Sequence, residues 1–228
     1  PVALRRGARK RMGKKTALED CDSRRRAGGS VGSVRGENDE LIGAAVGNRG
    51  DHVLVVGRKG QGIRCAASDA QLRPMGRATS GVTGMKFRTD DALLSMTVID
   101  AQMPEDDRFV FTVTDGGFAK RTRVSEYREQ NRGGLGIKAM KLNEDRGSLV
   151  GGLVVAEGDE VIAMKTSGQI TRSKVTEVPV KGRDTMGGKF VLGKGDDSVA
   201  AIARYPESGE DEAEGTESPA EVESSDDV

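Results

Sequence analysis

A skeleton of glycines and cations recurs along this chain, and it limits the possible folds more than any other feature. Aligned on Arg11, Gly60, Gly117 and Gly168, four copies stand 49, 57 and 51 residues apart. The copy that opens at Gly116-Gly117 continues through Lys120-Arg121-Thr122, a glycine motif at Gly133-Gly134-Leu135-Gly136, and the apolar run Leu149-Val150-Gly151-Gly152-Leu153-Val154-Val155. Upstream the same order reads Gly60 to Cys65, Gly76 to Val82 and Leu93 to Val98, and downstream Gly168 to Ser173, Gly182 to Gly188 and Val199 to Ala203. A first copy holds Lys14-Lys15-Thr16, Arg24-Arg25-Arg26 and Leu41 to Val46. A period of this size belongs to a propeller or another repeat array.

Within a copy the apolar residues are β-branched and alternate, with no helical period sustained beyond a turn or two. Three joints read as hairpins: His52 to Val56 turning through Arg58-Lys59-Gly60, Arg108 to Val113 through Asp115-Gly116-Gly117, and Glu160 to Lys165 through Ser167-Gly168. The stretches Ala66 to Ala70, Val124 to Arg128 and Val175 to Val178 have room for a helical turn at most. Each copy parses into four short strands, as a propeller blade requires, and radial repetition leaves only short protected edges. The expected fold is therefore all-β, a propeller-like repeat over 14–204. With aromatics at 3% of the chain, its core must come from Val, Ile, Leu, Met and Ala. Residues 1–13 are basic and lack either period, so they are expected to stand outside the repeats.

The repeats also carry charge in matched places. Lys15, Arg64, Arg121 and Arg172 occupy one strand position, with Lys14 and Lys120 beside two of them. Arg26, Arg77, Arg132 and Arg183 recur near the glycine turn, and Arg73, Arg128, Gln130, Lys138 and Lys181 flank it. Matched positions fall at matched places around a disc, which makes these residues one basic arc. Gly133, Gly134 and Gly136 can turn the chain sharply and present consecutive amides to an anion. Arginine beside them grips phosphate as a bidentate fork. Lysine and arginine together equal aspartate and glutamate at 36 each, but ten of the acids stand in 205–228, which has no Lys or Arg, so 1–204 carries a net +10. A basic body with an acidic, apolar-poor and therefore disordered tail points to a polyanionic partner, duplex nucleic acid.

Other chemistries lack their parts. Cys21 and Cys65 have no paired spacing for zinc or redox work, and His52 opens an apolar run without a nucleophile nearby. Gly193-Lys194-Gly195 lacks the rest of a phosphate-binding loop. No apolar run nears the roughly 20 residues of a membrane span, and no leader opens the chain, so a soluble cytoplasmic protein without membrane contact is expected. The chain opens on proline, which suggests a fragment.

Gln130-Asn131-Arg132-Gly133-Gly134-Leu135-Gly136 resembles the glycine- and arginine-rich box in the C-terminal domain of the DNA gyrase A subunit. Leu72 to Met85 looks like the corresponding loop of a later blade in that family. The resemblance covers about 14–204. It implies a β-pinwheel of six blades that wraps duplex DNA on a basic rim, with the four signatures here matching later blades. Asn131 and Leu135 stand where the family's box has cations, and Arg11 stands where it has a turn glycine. The resemblance further implies no catalysis and no cofactor in this chain. ATP, Mg²⁺ and DNA cleavage would belong to the rest of the gyrase A subunit and to the gyrase B subunit, within an assembly that supercoils DNA. The related C-terminal domain of the topoisomerase IV A subunit is the alternative, with a protein-binding propeller scaffold as the alternative from another class.

Overall fold

The structure, a computed structural model, describes residues 3–8, 12–17, 39–75, 79, 81–193 and 197–206. Arg26, Arg77 and the acidic residues from Glu207 onward lie outside the described residues. In chain order the strands are β1 (Ala3–Ala8), β2 (Met12–Ala17) and β3 (Leu41–Gly47) from the first repeat, then β4 (His52–Gly57), β5 (Gln61–Ala66), β6 (Val82–Thr83) and β7 (Leu93–Ile99) from the second. The third repeat supplies β8 (Arg108–Thr114), β9 (Phe118–Arg123), β10 (Ile137–Lys138) and β11 (Leu149–Ala156). The fourth supplies β12 (Glu160–Lys165), β13 (Ile170–Lys174), β14 (Gly188–Lys189) and β15 (Val199–Tyr205). The helical content of the described residues is three short 3₁₀ turns, at Val124–Glu126, Glu144–Arg146 and Val175–Glu177. The all-β propeller expectation and its three hairpins are borne out.

The four strands of a repeat do not form one sheet. The sheets run β3-β1-β2-β6, β10-β5-β4-β7, β11-β8-β9-β14 and β13-β12-β15. Each of the first three sheets thus takes its outermost strand, two residues long, from the following repeat. The fourth sheet has three strands among the described residues, with β13 at its edge. Pairing is antiparallel throughout the named strands, and the exchange repeats closely: Val82 pairs with Gly13, Ile137 with Gly62 and Gly188 with Ala119.

The expected boundary at Lys14 is corrected by β1, which pairs with both β2 and β3 as an inner strand of the first sheet. The sequence ALRRGA has two arginines and no clean alternation, so its strand character comes from its neighbours rather than from its own pattern.

The core lies between blades. From β4, Val53 and Val55 point into one cluster with Ile63, Leu72, Met85 and Leu93, while Leu54 and Val56 point into the next with Val110, Tyr127 and Met140. Phe109, Phe111 and Val113 of β8 enter a third cluster with Val161, Val175 and Val191. Both faces of a middle strand are therefore buried, which is why β4 reads as the continuous apolar run HVLVV instead of an alternation. Small residues let neighbouring sheets approach: a Cβ at Gly7 would lie 3.3 Å from Met96 Cβ, and one at Gly152 3.2 Å from Val56 Cγ2.

Candidate nucleic-acid interface

The glycine motif is a joint between repeats. The glycine just before the exchanged strand has positive φ in the second, third and fourth copies, at 94° in Gly81, 70° in Gly136 and 74° in Gly187. A Cβ there would sit 2.6 Å from Gly13 O, 2.4 Å from Gly62 O and 2.6 Å from Ala119 O, so a side chain would collide with the preceding hairpin. Gly133 also has positive φ, but its amide donates to Gly84 O at 2.7 Å. Gly134 lies outside the positive-φ glycines, and its carbonyl accepts from the Lys86 amide at 2.8 Å. The expected row of free amides is thus corrected at Gly133, whose amide is consumed in holding the outer strand of the previous repeat.

The strand cations are corrected too. Lys15, Arg64 and Arg121 are buried, at 2%, 5% and 8% relative exposure, as are Lys14 and Lys120. Each clamps chain that follows it in sequence. Lys15 Nζ donates to Ala67 O at 3.0 Å and pairs with Asp69 at 2.7 Å. Arg64 bonds Tyr127 O, pairs with Glu105 and reaches His52 Nδ1 at 3.3 Å. Arg121 Nε donates to Val178 O at 2.7 Å, and its Nη1 meets Glu157 at 3.1 Å. Lys14 donates to Thr79 O, and Lys120 to Gly182 O, Arg183 O and Thr185 Oγ1. These side chains satisfy loop carbonyls inside the protein and do not line a rim. Arg172 alone of the matched set is exposed; it pairs with Glu160 and stacks 4.2 Å from the Tyr205 ring.

The two motif arginines among the described residues, Arg132 and Arg183, are half-buried and face the chain as well. Arg132 Nη1 donates to Thr83 O at 3.4 Å and its Nε to Gln71 O; Arg183 Nη1 donates to Lys138 O at 3.2 Å. Gln130 is half-buried, its amide on Arg64 O and its Nε2 without a protein partner. Burial raises the Cys65 thiol to about 11, consistent with a core residue, while Cys21 lies outside the described residues.

The exposed cations of the predicted set are Arg73, Arg128, Lys138 and Lys181, together with Arg172. The structure adds Lys86, Lys141 and Lys189, which the sequence reading missed. Lys138 and Lys189 hold the same place on the outermost strands β10 and β14, and both are exposed. Lys86 and Lys141 follow three residues after β6 and β10 on the same pattern, their amides bonded to Gly134 O and Thr185 O of the next motif. Their spacings, 55 and 51 residues, are those of the glycine motif itself, and that is the signal that could have found them. Outermost strands and motif loops thus carry repeated, solvent-facing cations. Lys138 is held 2.8 Å from Asp184, and that contact draws the Asp184 carboxyl below its usual range. Among the described residues, no group of three or more His, Cys, Asp and Glu converges as metal ligands would. Nor does any helix there have the length and apolarity to cross a membrane.

These features define a propeller-type repeat domain, its blades interlocked by exchanged strands and its outer edge basic. The chain belongs to the family of the DNA gyrase C-terminal domain, beta-propeller, whose pattern matches residues 51–100, 108–156 and 159–205. It is 51% identical over 227 residues to the DNA gyrase A subunit of a Nocardioides species, covering 87% of this chain and 25% of that protein. It is 54% identical over 206 residues to the DNA gyrase A subunit of Streptomyces coelicolor, covering 88% and 23%. The chain therefore spans about a quarter of these relatives. Among solved structures, the C-terminal domain of DNA topoisomerase IV superposes with a TM-score of 0.80 at 19% identity, covering 90% of this chain and 62% of that one. The DNA gyrase A C-terminal domain superposes at 0.76 and 22%, covering 90% and 66%. At those identities the superpositions speak for the fold, and the resemblance drawn from the glycine motif is borne out.

Proposed function

We propose that this chain binds and bends duplex DNA along its outer edge, as the wrapping domain of a gyrase A subunit. The observation that carries the reading is the recurrence of exposed cations at matched places on successive blades: Arg73 with Arg128, Lys86 with Lys141, and Lys138 with Lys189. Repetition around an arc suits a curved polyanion. Phosphate contacts carry no base information, and bending a site of roughly 20–30 bp costs on the order of 1–6 kcal/mol, which repeated contacts offset. Binding is then largely independent of sequence.

In the assembled enzyme this wrapping sets the handedness of the DNA crossing and so supports negative supercoiling in the cytoplasm, at the nucleoid. DNA cleavage falls to other parts of the gyrase A subunit and ATP hydrolysis with Mg²⁺ to the gyrase B subunit, so this chain works without a cofactor of its own. Titrating the full chain against linear duplexes at several salt concentrations checks the reading. With about six phosphates engaged, affinity falls roughly a thousandfold between 50 and 200 mM salt. An affinity indifferent to salt, or confined to one base sequence, would overturn it.

A further inference from the structure

Where the third repeat's exchanged strand β10 closes the second sheet, the outer edge is hollowed into a groove of about 420 Å³. Three segments from two repeats wall it: the β4–β5 turn with Lys59, the stretch 86–91 with Lys86 and Arg88, and 135–138 with Leu135 and Lys138. Lys59, Lys86 and Arg88 are exposed and make no ion pair among the described residues. Lys138 stands at the margin against Asp184. The carboxylate in the wall, Asp91, is turned inward, its Oδ1 accepting the Lys59 and Ala92 amides at 3.1 and 2.7 Å. Leu135, 40% exposed, is an apolar side chain set among these cations.

The next joint around the disc has the same architecture and fewer exposed cations. Gly116 replaces Lys59, Asn143 replaces Arg88 and Met186 replaces Leu135, so Lys141 and Lys189 remain as its exposed cations, while the half-buried Arg146 spends its Nη1 on Met186 O and Gly187 O at 3.0 and 3.1 Å. Exposed cations are therefore concentrated at one joint, where three chain segments meet around a concave space. Single surface lysines steer a polyanion, whereas convergent cations around a concavity hold one phosphate at one place.

We propose that this groove is the principal backbone-phosphate seat of the wrapped duplex, and that Lys59, Lys86 and Arg88 fix where the DNA path crosses the rim. The inference rests on the duplex-binding reading and adds to it an uneven distribution of grip around the disc. The groove holds a phosphate with its sugar against the Leu135 side chain, while the following joint only guides the strand.

The test uses the full chain and linear duplex in a salt titration. The variant Lys59→Ala/Lys86→Ala/Arg88→Ala loses the one seated phosphate and should lower the slope of log affinity against log salt by roughly one unit. Lys141→Ala/Lys189→Ala should lower it by less than about half a unit, and Leu135→Lys, which adds a cation to the same seat, should tighten binding at a given salt concentration. All of these positions are exposed, so unchanged melting temperatures are expected and serve as the control for folding. If the parent binds duplex with steep salt dependence but the triple variant keeps the parental slope, the groove proposal fails and the wrapping reading stands. If the parent itself shows no salt-dependent binding, the wrapping reading fails. Amide shifts of 134–138 in NMR separate the two sources of phosphate. Shifts on adding duplex support the proposal, whereas shifts with inorganic phosphate at equal ionic strength and none with duplex would overturn it.

Discussion

Arg121 and Arg172 hold the same place in successive repeats and live in different surroundings. Arg121 lies under the chain of the fourth repeat, its Nε on Val178 O at 2.7 Å, its guanidinium 4.7 Å from the Phe109 ring, 8% exposed. Arg172 lies on β13, an edge strand among the described residues, with a surface ion pair and the Tyr205 ring for company. Within the hairpins the two differ in the residue beside them, Phe109 under Arg121 and Glu160 next to Arg172. Outside them the difference is the exchanged strand and the motif loop, which cover β9 in the third sheet. Registered cations in this fold are therefore first of all clamps on the next repeat, and they are surface charges only where no such cover lies over them.

The comparison breaks most severely at the joint glycines. Gly136→Ala places a Cβ against Gly62 O at a positive φ, so the exchanged strand must leave its sheet. The expected loss is about 4 kcal/mol, from roughly 1–2 for the left-handed backbone and 1–3 for overpacking. Gly168→Ala has the same kind of φ, 85°, with nothing within 4 Å of the new methyl, and should cost only about 1–2 kcal/mol. Denaturant midpoints of the two variants measure the gap, and equal losses would mean that the joint tolerates the intrusion.

A middle-sized effect is expected for the arginines themselves. Arg121→Ala removes a donor from a buried carbonyl, a ring contact and packed volume, for a loss of about 2–3 kcal/mol. Arg172→Ala removes a solvated pair and an exposed stacking contact, for about 1 kcal/mol or less. A thermal melt of each variant checks this, and a larger loss for Arg172→Ala would reverse the reading of which cations are structural.

Much of this fold is visible in the sequence because its hairpins announce themselves. Glycine turns at Gly60, Gly117 and Gly168 sit between β-branched runs, and their spacing gives the blade count directly. Strand exchange is invisible there, since a two-residue strand such as Ile137–Lys138 has no period to detect. That one omission propagated to the site. Without the exchanged strand, Lys15, Arg64 and Arg121 read as rim cations, and Gly133 reads as a free anion-binding amide, whereas each is used up in joining repeats. The exposed residues Lys86, Lys141 and Lys189 carried a legible spacing, yet no glycine motif of their own draws attention to them.

The finest contrast lies between Ile63 and Lys120, which share a strand position beside successive glycine motifs. Ile63 packs its Cδ1 near Gly134, where a glycine Cβ would lie at 3.4 Å, while Lys120 reaches the next motif through Gly182 O and Thr185 Oγ1 at 2.7 and 3.4 Å. Burial pushes the Lys120 ammonium from 10.5 down to about 8, with Glu126 and Asp184 opposing the shift. Between those two values the unfolded chain keeps a proton that the folded chain has released, so this group makes stability rise with pH across that window. Below the lower value both states hold the proton and the cost of burying it is present in full. Lys120→Ile transplants the second repeat's solution and removes the titration. The stability of the parent relative to Lys120→Ile should therefore increase from pH 7.5 to 9.5 in paired denaturant unfolding curves. A pH-independent difference would show that the carbonyl and hydroxyl acceptors keep Lys120 charged throughout, and that an ammonium and an isoleucine fill this joint by opposite means.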